Sequence, residues 1–223
     1  MRLFLDTANI DEIRQAARLG VISGITTNPS LVAKERIGDL EGYQSAVLQI
    51  AEIIDGPISV EVTALDADGM VEQARGIAKW HQNVVVKLPS TTDAFQAMNV
   101  IAREGIPINQ TLCFSVNQAL LGAQLGTAYV SPFVGRLDDE GSNGMAVVAD
   151  IVSIFDRYGI TTKVMAASIR HPVHCIEAAK AGAQIATIPF KVLMQMTHHP
   201  LTDAGVARFT EDWGEVLTNP TRT

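Results

Sequence analysis

One lysine, Lys87, closes an apolar run, VVVKLP at 84–89. A lysine in this setting must reach water, pair with an acid, or lie buried as a neutral amine. A neutral amine is a nucleophile that can form a Schiff base with a carbonyl carbon. The residues therefore admit either a catalytic lysine or a structural ion pair.

Two carboxylates, Asp6 and Glu61, end other apolar runs. Schiff-base chemistry moves protons when the carbinolamine forms, when water leaves, and when a carbon–carbon bond breaks. Two carboxylates near one amine can act there as general acid and base. The competing interpretation is a salt bridge from either carboxylate to Lys87 or to an arginine.

Arg136, Ser168 and Arg170 are candidates for an anion site. A guanidinium fork matches the oxygens of a phosphate group, and Gly135 would let the backbone come close to a ligand. Phosphate sites in barrels usually follow strands seven and eight, whereas these arginines follow the predicted sixth and seventh strands. The alternative is a surface arginine that pairs with Asp138, Asp139 or Glu140.

Other polar residues also end the apolar runs, and several stand two positions apart, which places them on the same side of a strand. Any one of them could simply cap a helix or solvate a loop. Because nearly all the runs end in this way, the set indicates one polar rim. Its further members are Thr26, Asn28, Thr63, Asn109, Thr111 and Ser131.

Eight short apolar runs alternate with segments of helical period, and these elements must position the polar rim. Their weak apolar/polar alternation suits parallel strands that are covered on both faces. Helices are expected to start near Asn9, Thr92 and Ser115 and at Pro172, which are capping or first-turn residues. The predicted strands cover 2–5, 24–27, 58–62, 84–88, 106–112, 128–133, 163–167 and 184–188.

This alternation is typical of a closed (β/α)8 barrel or of an open doubly wound sheet. The first turn, DTAN at 6–9, lacks the glycine-rich phosphate loop of a dinucleotide-binding fold. We therefore predict an α/β protein with a (β/α)8 TIM barrel, as a single domain over 1–223. An additional C-terminal helix is predicted at about 202–217, and its Phe209 and Trp213 would cover the barrel or dock on a neighbouring subunit.

The composition limits the function classes. The 223 residues carry 17 Lys+Arg and 24 Asp+Glu, a formal charge of −7, without a basic cluster. We therefore expect neither nucleic-acid nor membrane binding. Cys113 and Cys175 lack a C-x-x-C spacing, which favours reduced, packed thiols in the cytoplasm, and the N-terminal residues do not resemble a signal peptide.

Metal catalysis is a competing route to carbon–carbon bond cleavage. Zinc catalysis needs about three converging ligands. None of the five histidines ends a predicted strand, and His171 and His174, which flank Pro172, lack an obvious third ligand. We predict no metal and no cofactor.

Six motifs cover essentially the whole chain in order: LDTAN at 5–9, TTNPS at 26–30, VVVKLP at 84–89, SPFVGRLDD at 131–139, AASIRHP at 166–172 and FTEDW at 209–213. Together they resemble the small transaldolase family, which includes the fructose-6-phosphate aldolases. The resemblance implies a class I, Schiff-base (β/α)8 barrel enzyme of the non-oxidative pentose phosphate pathway. Its reaction would move a dihydroxyacetone unit from sedoheptulose 7-phosphate to glyceraldehyde 3-phosphate, giving erythrose 4-phosphate and fructose 6-phosphate.

The resemblance also implies a role for each matching residue. Lys87 would be the Schiff-base lysine, and Asp6 would take the C4-hydroxyl proton as the bond breaks. Glu61 and Thr111 would hold and activate a catalytic water. The substrate-binding residues would be Asn28, Asn109 and Ser131 for the dihydroxyacetone hydroxyls, Arg136, Ser168 and Arg170 for the phosphate, and Thr26 and Phe133 beside them. By the same resemblance we expect a homo-oligomer, a pentamer or a decamer, with the C-terminal helix crossing to a neighbour.

Two positions separate the branches of the family. Fructose-6-phosphate aldolases carry Gln where Glu61 stands and Tyr where Phe133 stands. A tyrosine hydroxyl near the lysine can help water release free dihydroxyacetone, whereas Phe133 cannot transfer a proton. We therefore favour a transaldolase; the alternatives are an aldolase and a non-catalytic barrel that binds sugar phosphates.

Overall fold

The chain forms a closed barrel of eight parallel strands. The computed structural model describes residues 1–218. The strands pair in chain order, and β8 pairs with β1 to close the barrel, which confirms the predicted (β/α)8 fold. The strands are β1 (Arg2–Asp6), β2 (Ile22–Thr26), β3 (Ile58–Glu61), β4 (Val84–Pro89), β5 (Ile108–Cys113), β6 (Tyr129–Pro132), β7 (Lys163–Ala166) and β8 (Ile185–Ile188).

Helices follow every strand and cover the barrel. They are α1 (Ile10–Arg18), α2 (Pro29–Lys34), α3 (Leu40–Ile53), α4 (Ala67–Ile77), α5 (Thr92–Arg103), α6 (Val116–Gln124), α7 (Val134–Asp139), α8 (Gly144–Tyr158), α9 (Pro172–Lys180), α10 (Phe190–Met196) and α11 (Pro200–Thr218). The short helices α2, α7 and α10, which start directly after strands, were not predicted.

The helix starts predicted at Asn9, Ser115 and Pro172 are confirmed, because the first two cap α1 and α6 and the third is the first residue of α9. The start predicted at Thr92 is wrong by one residue. Thr91 has the extended backbone of a cap, and its side chain accepts a hydrogen bond from the N–H of Ala94. Thr91 and Thr92 each carry a hydroxyl that can cap a helix, and the backbone conformation decides that Thr91 does so.

An apolar layer fills the barrel directly below the polar rim. It contains Phe4, Val85, Tyr129, Met165 and Ile185. On four of these five strands, the residue two positions later is a polar rim residue, since side chains on the same side of a strand recur every second residue. The apolar layer thus lies directly beneath the polar side chains of the rim.

Gly24 makes room for Phe4 in this apolar layer. A Cβ atom at Gly24 would lie 2.6 Å from the ring of Phe4, which is fully buried. Since real Cβ contacts are longer than that, any larger residue at this position would displace the ring.

The C-terminal helix α11 confirms the predicted element. Phe209 and Trp213 are 72% and 63% exposed, so the alternative in which they cover the barrel is wrong. Over residues 1–218, no helix combines the length and the apolar character needed to cross a membrane. That 1–223 forms a single domain remains a prediction.

Candidate active site

Lys87 lies buried at the rim and is paired with an acid. On the neighbouring strands, Glu61 of β3 and Asn109 of β5 stand opposite it. Its side chain is 5% exposed, and Nζ donates to Glu61 Oε2 at 2.8 Å and to the carbonyl oxygen of Thr27 at 3.0 Å. Pairing with an acid, one of the three predicted states, is therefore found, and the paired side chain is almost fully buried.

Asp6, at the end of β1, is the second carboxylate beside Lys87. Thr26 donates to Asp6 Oδ1 at 2.7 Å, and the hydroxyls of Thr26 and Thr187 are 2.6 Å apart. Burial raises the pKa of Asp6 above its ordinary value, and the opposing effects of Lys87 and Thr26 do not cancel it. A carboxyl group shifted in this direction is better matched to accepting and returning a proton near neutral pH.

A hydrogen-bonded chain of Ser59, Asn109 and Ser131 crosses the barrel beside the lysine. The Asn109 amide donates to Ser59 Oγ at 3.0 Å, and its oxygen accepts from Ser131 at 2.7 Å. Both ends of the amide are thus occupied, which determines its orientation. Thr111 lies two residues further along β5; it is buried, and within the described residues its hydroxyl has no hydrogen-bond partner.

A cavity of about 240 Å³ opens above these residues at the carboxyl ends of the strands. The predicted residues that line it are Asp6, Thr26, Asn28, Lys87, Ser131, Phe133, Arg136, Ser168 and Arg170. Four predicted residues, Glu61, Thr63, Asn109 and Thr111, do not line the cavity. Glu61 and Asn109 contact it indirectly, through their hydrogen bonds to Lys87 and Ser131.

The two arginines are held differently. The guanidinium carbon of Arg136 lies 5.1 Å from the centre of the Phe133 ring, a distance at which the face of the ring attracts the positive charge of the arginine. Arg170 donates to Asp139 at 2.6 Å. The predicted alternative, an arginine that pairs with an acid at 138–140, therefore applies to Arg170.

The segment from Ser168 to Arg170 packs tightly against Gly135. The Gly135 N–H donates to the Ser168 carbonyl oxygen at 3.0 Å. A Cβ atom at Gly135 would lie 2.2 Å from that oxygen and 2.5 Å from Arg170 Nε. Glycine is therefore needed here, because only a residue without a Cβ atom allows the neighbouring loop to approach this closely.

Several site residues were missed by sequence reasoning, and one prediction was misplaced. Thr187 adds the eighth strand to the rim, and alternation from Ile185 would have found it. Ser30 and Lys34 line the cavity from α2, a helix too short to show a period. Thr63 is exposed and bonds to the side chain of Gln73, away from the cavity.

The histidine pair also has a defined environment. The rings of His171 and His174 are 3.8 Å apart, and His174 Nε2 lies 3.2 Å from the Asp138 carboxylate. Within residues 1–218 there is no cluster of three His, Cys, Asp or Glu side chains placed to hold a metal ion.

Together, the fold and the site define a (β/α)8 barrel with a buried lysine and two carboxylates at the carboxyl ends of its strands. The chain belongs to the family described as "Transaldolase/Fructose-6-phosphate aldolase", which matches residues 3–219. It is 59% identical over 217 residues to a "Probable transaldolase" of Dehalococcoides mccartyi, covering 97% of this chain and 99% of that protein. It is 57% identical to a "Probable transaldolase" of a Thermoanaerobacter species, covering 96% of this chain and 97% of that protein. A "Probable transaldolase 1" of Listeria monocytogenes is 54% identical, with coverage of 96% and 98%.

Proposed function

We propose that this chain is a transaldolase that transfers a dihydroxyacetone unit from sedoheptulose 7-phosphate to glyceraldehyde 3-phosphate. The observation that carries the proposal is the buried Lys87–Glu61 pair beside Asp6, under a cavity lined by arginines. A binding module would have no need of an amine and two carboxylates placed together in this way.

In the proposed reaction Lys87 Nζ attacks the C2 carbonyl carbon of the donor after passing a proton to Glu61, which accepts its hydrogen bond. Loss of water from the carbinolamine leaves the Schiff base. The C3–C4 bond then breaks, its electrons flow to the iminium nitrogen, and the C4-hydroxyl proton moves to Asp6. The aldehyde departs, and the enamine attacks the carbonyl carbon of the acceptor while Asp6 returns the proton. Water then hydrolyses the new Schiff base.

The other site residues are proposed to hold substrate. Asn28, Asn109 and Ser131 orient the dihydroxyacetone hydroxyls, and the orientation of the Asn109 amide is already set. Glu61 and Thr111 hold the water that enters and leaves, which suits the buried Thr111 hydroxyl.

The substrate phosphate is proposed to bind between Arg136, Ser168 and Arg170. Their side chains line the cavity, and the phosphate would replace the carboxylate of Asp139 on Arg170. Guanidinium groups bind phosphate oxygens through two parallel hydrogen bonds, so each arginine can take up two of them.

The transferase is favoured over the aldolase, which would release free dihydroxyacetone. The phenyl ring of Phe133 lines the cavity together with Lys87 and carries no proton to transfer. The enamine should therefore persist until an acceptor aldehyde arrives.

Borohydride reduction in the presence of fructose 6-phosphate, followed by peptide mass spectrometry, tests the lysine mechanism. We expect a three-carbon adduct on Lys87 and none on Lys34, the other lysine that lines the cavity. Turnover that requires an acceptor aldehyde would then identify the transferase, and release of dihydroxyacetone without acceptor the aldolase. No adduct, with the protein folded and donor bound, would overturn the lysine mechanism and favour the binding module.

We also propose that the protein is cytoplasmic and forms a homo-oligomer through α11. The exposed apolar side chains of that helix, Phe209 and Trp213 among them, support an interface. Cys113 and Cys175 are buried free thiols, as expected in a reducing compartment. Light scattering should give a mass of several chains that falls when Trp213→Glu places a charge on the helix.

A further inference from the structure

His174 joins the helix α9 to the loop that carries Ser168 and Arg170. It is 6% exposed, and its Nδ1 accepts a hydrogen bond from the backbone N–H of Arg170 at 3.3 Å. Its Nε2 faces Asp138 at 3.2 Å. Because a neutral imidazole carries a single N–H, these two partners place the proton on Nε2 and leave Nδ1 as the acceptor.

Asp138 is itself fixed in place. Its second carboxylate oxygen accepts a hydrogen bond from the N–H of Gly144 at 2.9 Å, at the start of α8. The imidazole is therefore held between the end of α7 and the loop after β7. Because Asp138 orients the imidazole, His174 can in turn hold the backbone N–H of Arg170 in a defined position.

The loop needs such support because its backbone is strained. Ser168 has φ of 57°, in the left-handed region that residues other than glycine rarely adopt. Such a conformation persists only where neighbouring groups enforce it. Here Gly135 binds the Ser168 carbonyl oxygen, and His174 binds the Arg170 N–H.

We propose that neutral His174 is a positioning residue for the substrate phosphate, holding the Arg170 backbone so that Ser168 and Arg170 face the cavity together. This inference rests on the proposed function, because it takes these residues to bind the phosphate group. His174 lies outside the cavity lining and acts only through the loop.

Protonation gives the inference a pH dependence. Burial lowers the pKa of His174, and the neighbouring His171 and Arg170 act in the same direction, whereas Asp138 from α7 and Glu177 from α9 raise it. The net pKa lies below the ordinary value, so the imidazole is neutral near neutral pH. Acidification adds a proton to Nδ1, which then cannot accept from Arg170, and phosphate binding should weaken.

The test is single-turnover cleavage of fructose 6-phosphate and of unphosphorylated fructose, with the adduct on Lys87 trapped by borohydride. For His174→Ala we expect the half-saturating concentration of fructose 6-phosphate to rise about tenfold, the effect of losing one hydrogen bond. The limiting rate and the reaction of fructose should stay within about twofold of wild type. A merely structural loss would weaken both donors equally, and that result, or no change in either, overturns the inference.

Two further variants separate positioning from stability. His174→Asn keeps an acceptor near the Nδ1 position, so it should restore most of the loss and abolish the weakening at acidic pH. His81→Ala is the matched control: His81 Nδ1 also accepts from a backbone N–H, that of Asn83, at the opposite end of the barrel. It should change neither donor.

Calorimetric titration with inorganic phosphate distinguishes failure of this inference from failure of the proposed function. Wild type without a Lys87 adduct would contradict the transaldolase mechanism, yet a Kd for phosphate that rises about tenfold in His174→Ala would still support the positioning role. Equal Kd values in wild type and variant, or no phosphate binding to wild type, would overturn it.

Discussion

The hydroxyl of Thr26 should control the acidic limit of activity. Thr26 is 1% exposed, and its single proton is used in the 2.7 Å hydrogen bond to Asp6. It follows that Thr187 donates to Thr26, which makes a chain of hydroxyls ending on the carboxylate. Thr26→Val keeps the shape of the side chain and removes the hydrogen bond.

The size of the effect follows from the strength of that bond. A hydrogen bond to a charged group contributes about 1.5–3 kcal/mol. Its loss destabilises only the ionised form of Asp6, so the proton affinity of the carboxyl should rise about tenfold to a hundredfold. The pKa of Asp6 is already raised by burial, and the substitution moves it further in the same direction.

The pH dependence of kcat/KM reports this change, because its acidic limb follows the essential base of the free enzyme. Activity is lost as the pH falls through the pKa of Asp6, so in Thr26→Val the loss should begin at higher pH. Thr26→Ser retains the hydroxyl and should leave the limb where it is in wild type. Thr187→Val should raise the proton affinity of Asp6 only a few-fold, because Thr187 acts on the Thr26–Asp6 hydrogen bond through polarisation alone. A limb in Thr26→Val that coincides with wild type, or lies at lower pH, would refute the reasoning.

Three other substitutions test the site. Phe133→Tyr should raise cleavage of fructose 6-phosphate without acceptor, measured as free dihydroxyacetone; an unchanged rate would contradict our explanation of the branch difference. Gly135→Ala should lower the free energy of unfolding by about 1–3 kcal/mol in urea titrations, because its Cβ would overlap the Ser168 carbonyl oxygen. A raised pKa means that ionised Asp6 disfavours the folded state, so stability is lost as the pH rises through that pKa. The thermal stability of Asp6→Asn relative to wild type should therefore be greater at about pH 7 than at about pH 4. A difference between the two proteins that is the same at both pH values would argue against a raised pKa of Asp6.

The sequence by itself determined the eight strands, their order and most of the polar rim. These features are local: a short apolar run ends in a polar residue, and alternate residues share a side of the strand. Asp6, Lys87 and Ser131 could therefore be assigned to the carboxyl end of the barrel without knowing any contact.

Only the tertiary structure decided which of these side chains meet. The hydroxyls of Thr26 and Thr187, 161 positions apart, touch because β8 closes against β1. Asp139 binds Arg170, 31 positions away, rather than the nearby Arg136 of the same helix. Local periodicity contains no information on such pairs, since they depend on the register between strands and on where short loops and helices direct their side chains. For the same reason the sequence left open whether Trp213 covers the barrel, and only the tertiary structure shows that this side chain is exposed.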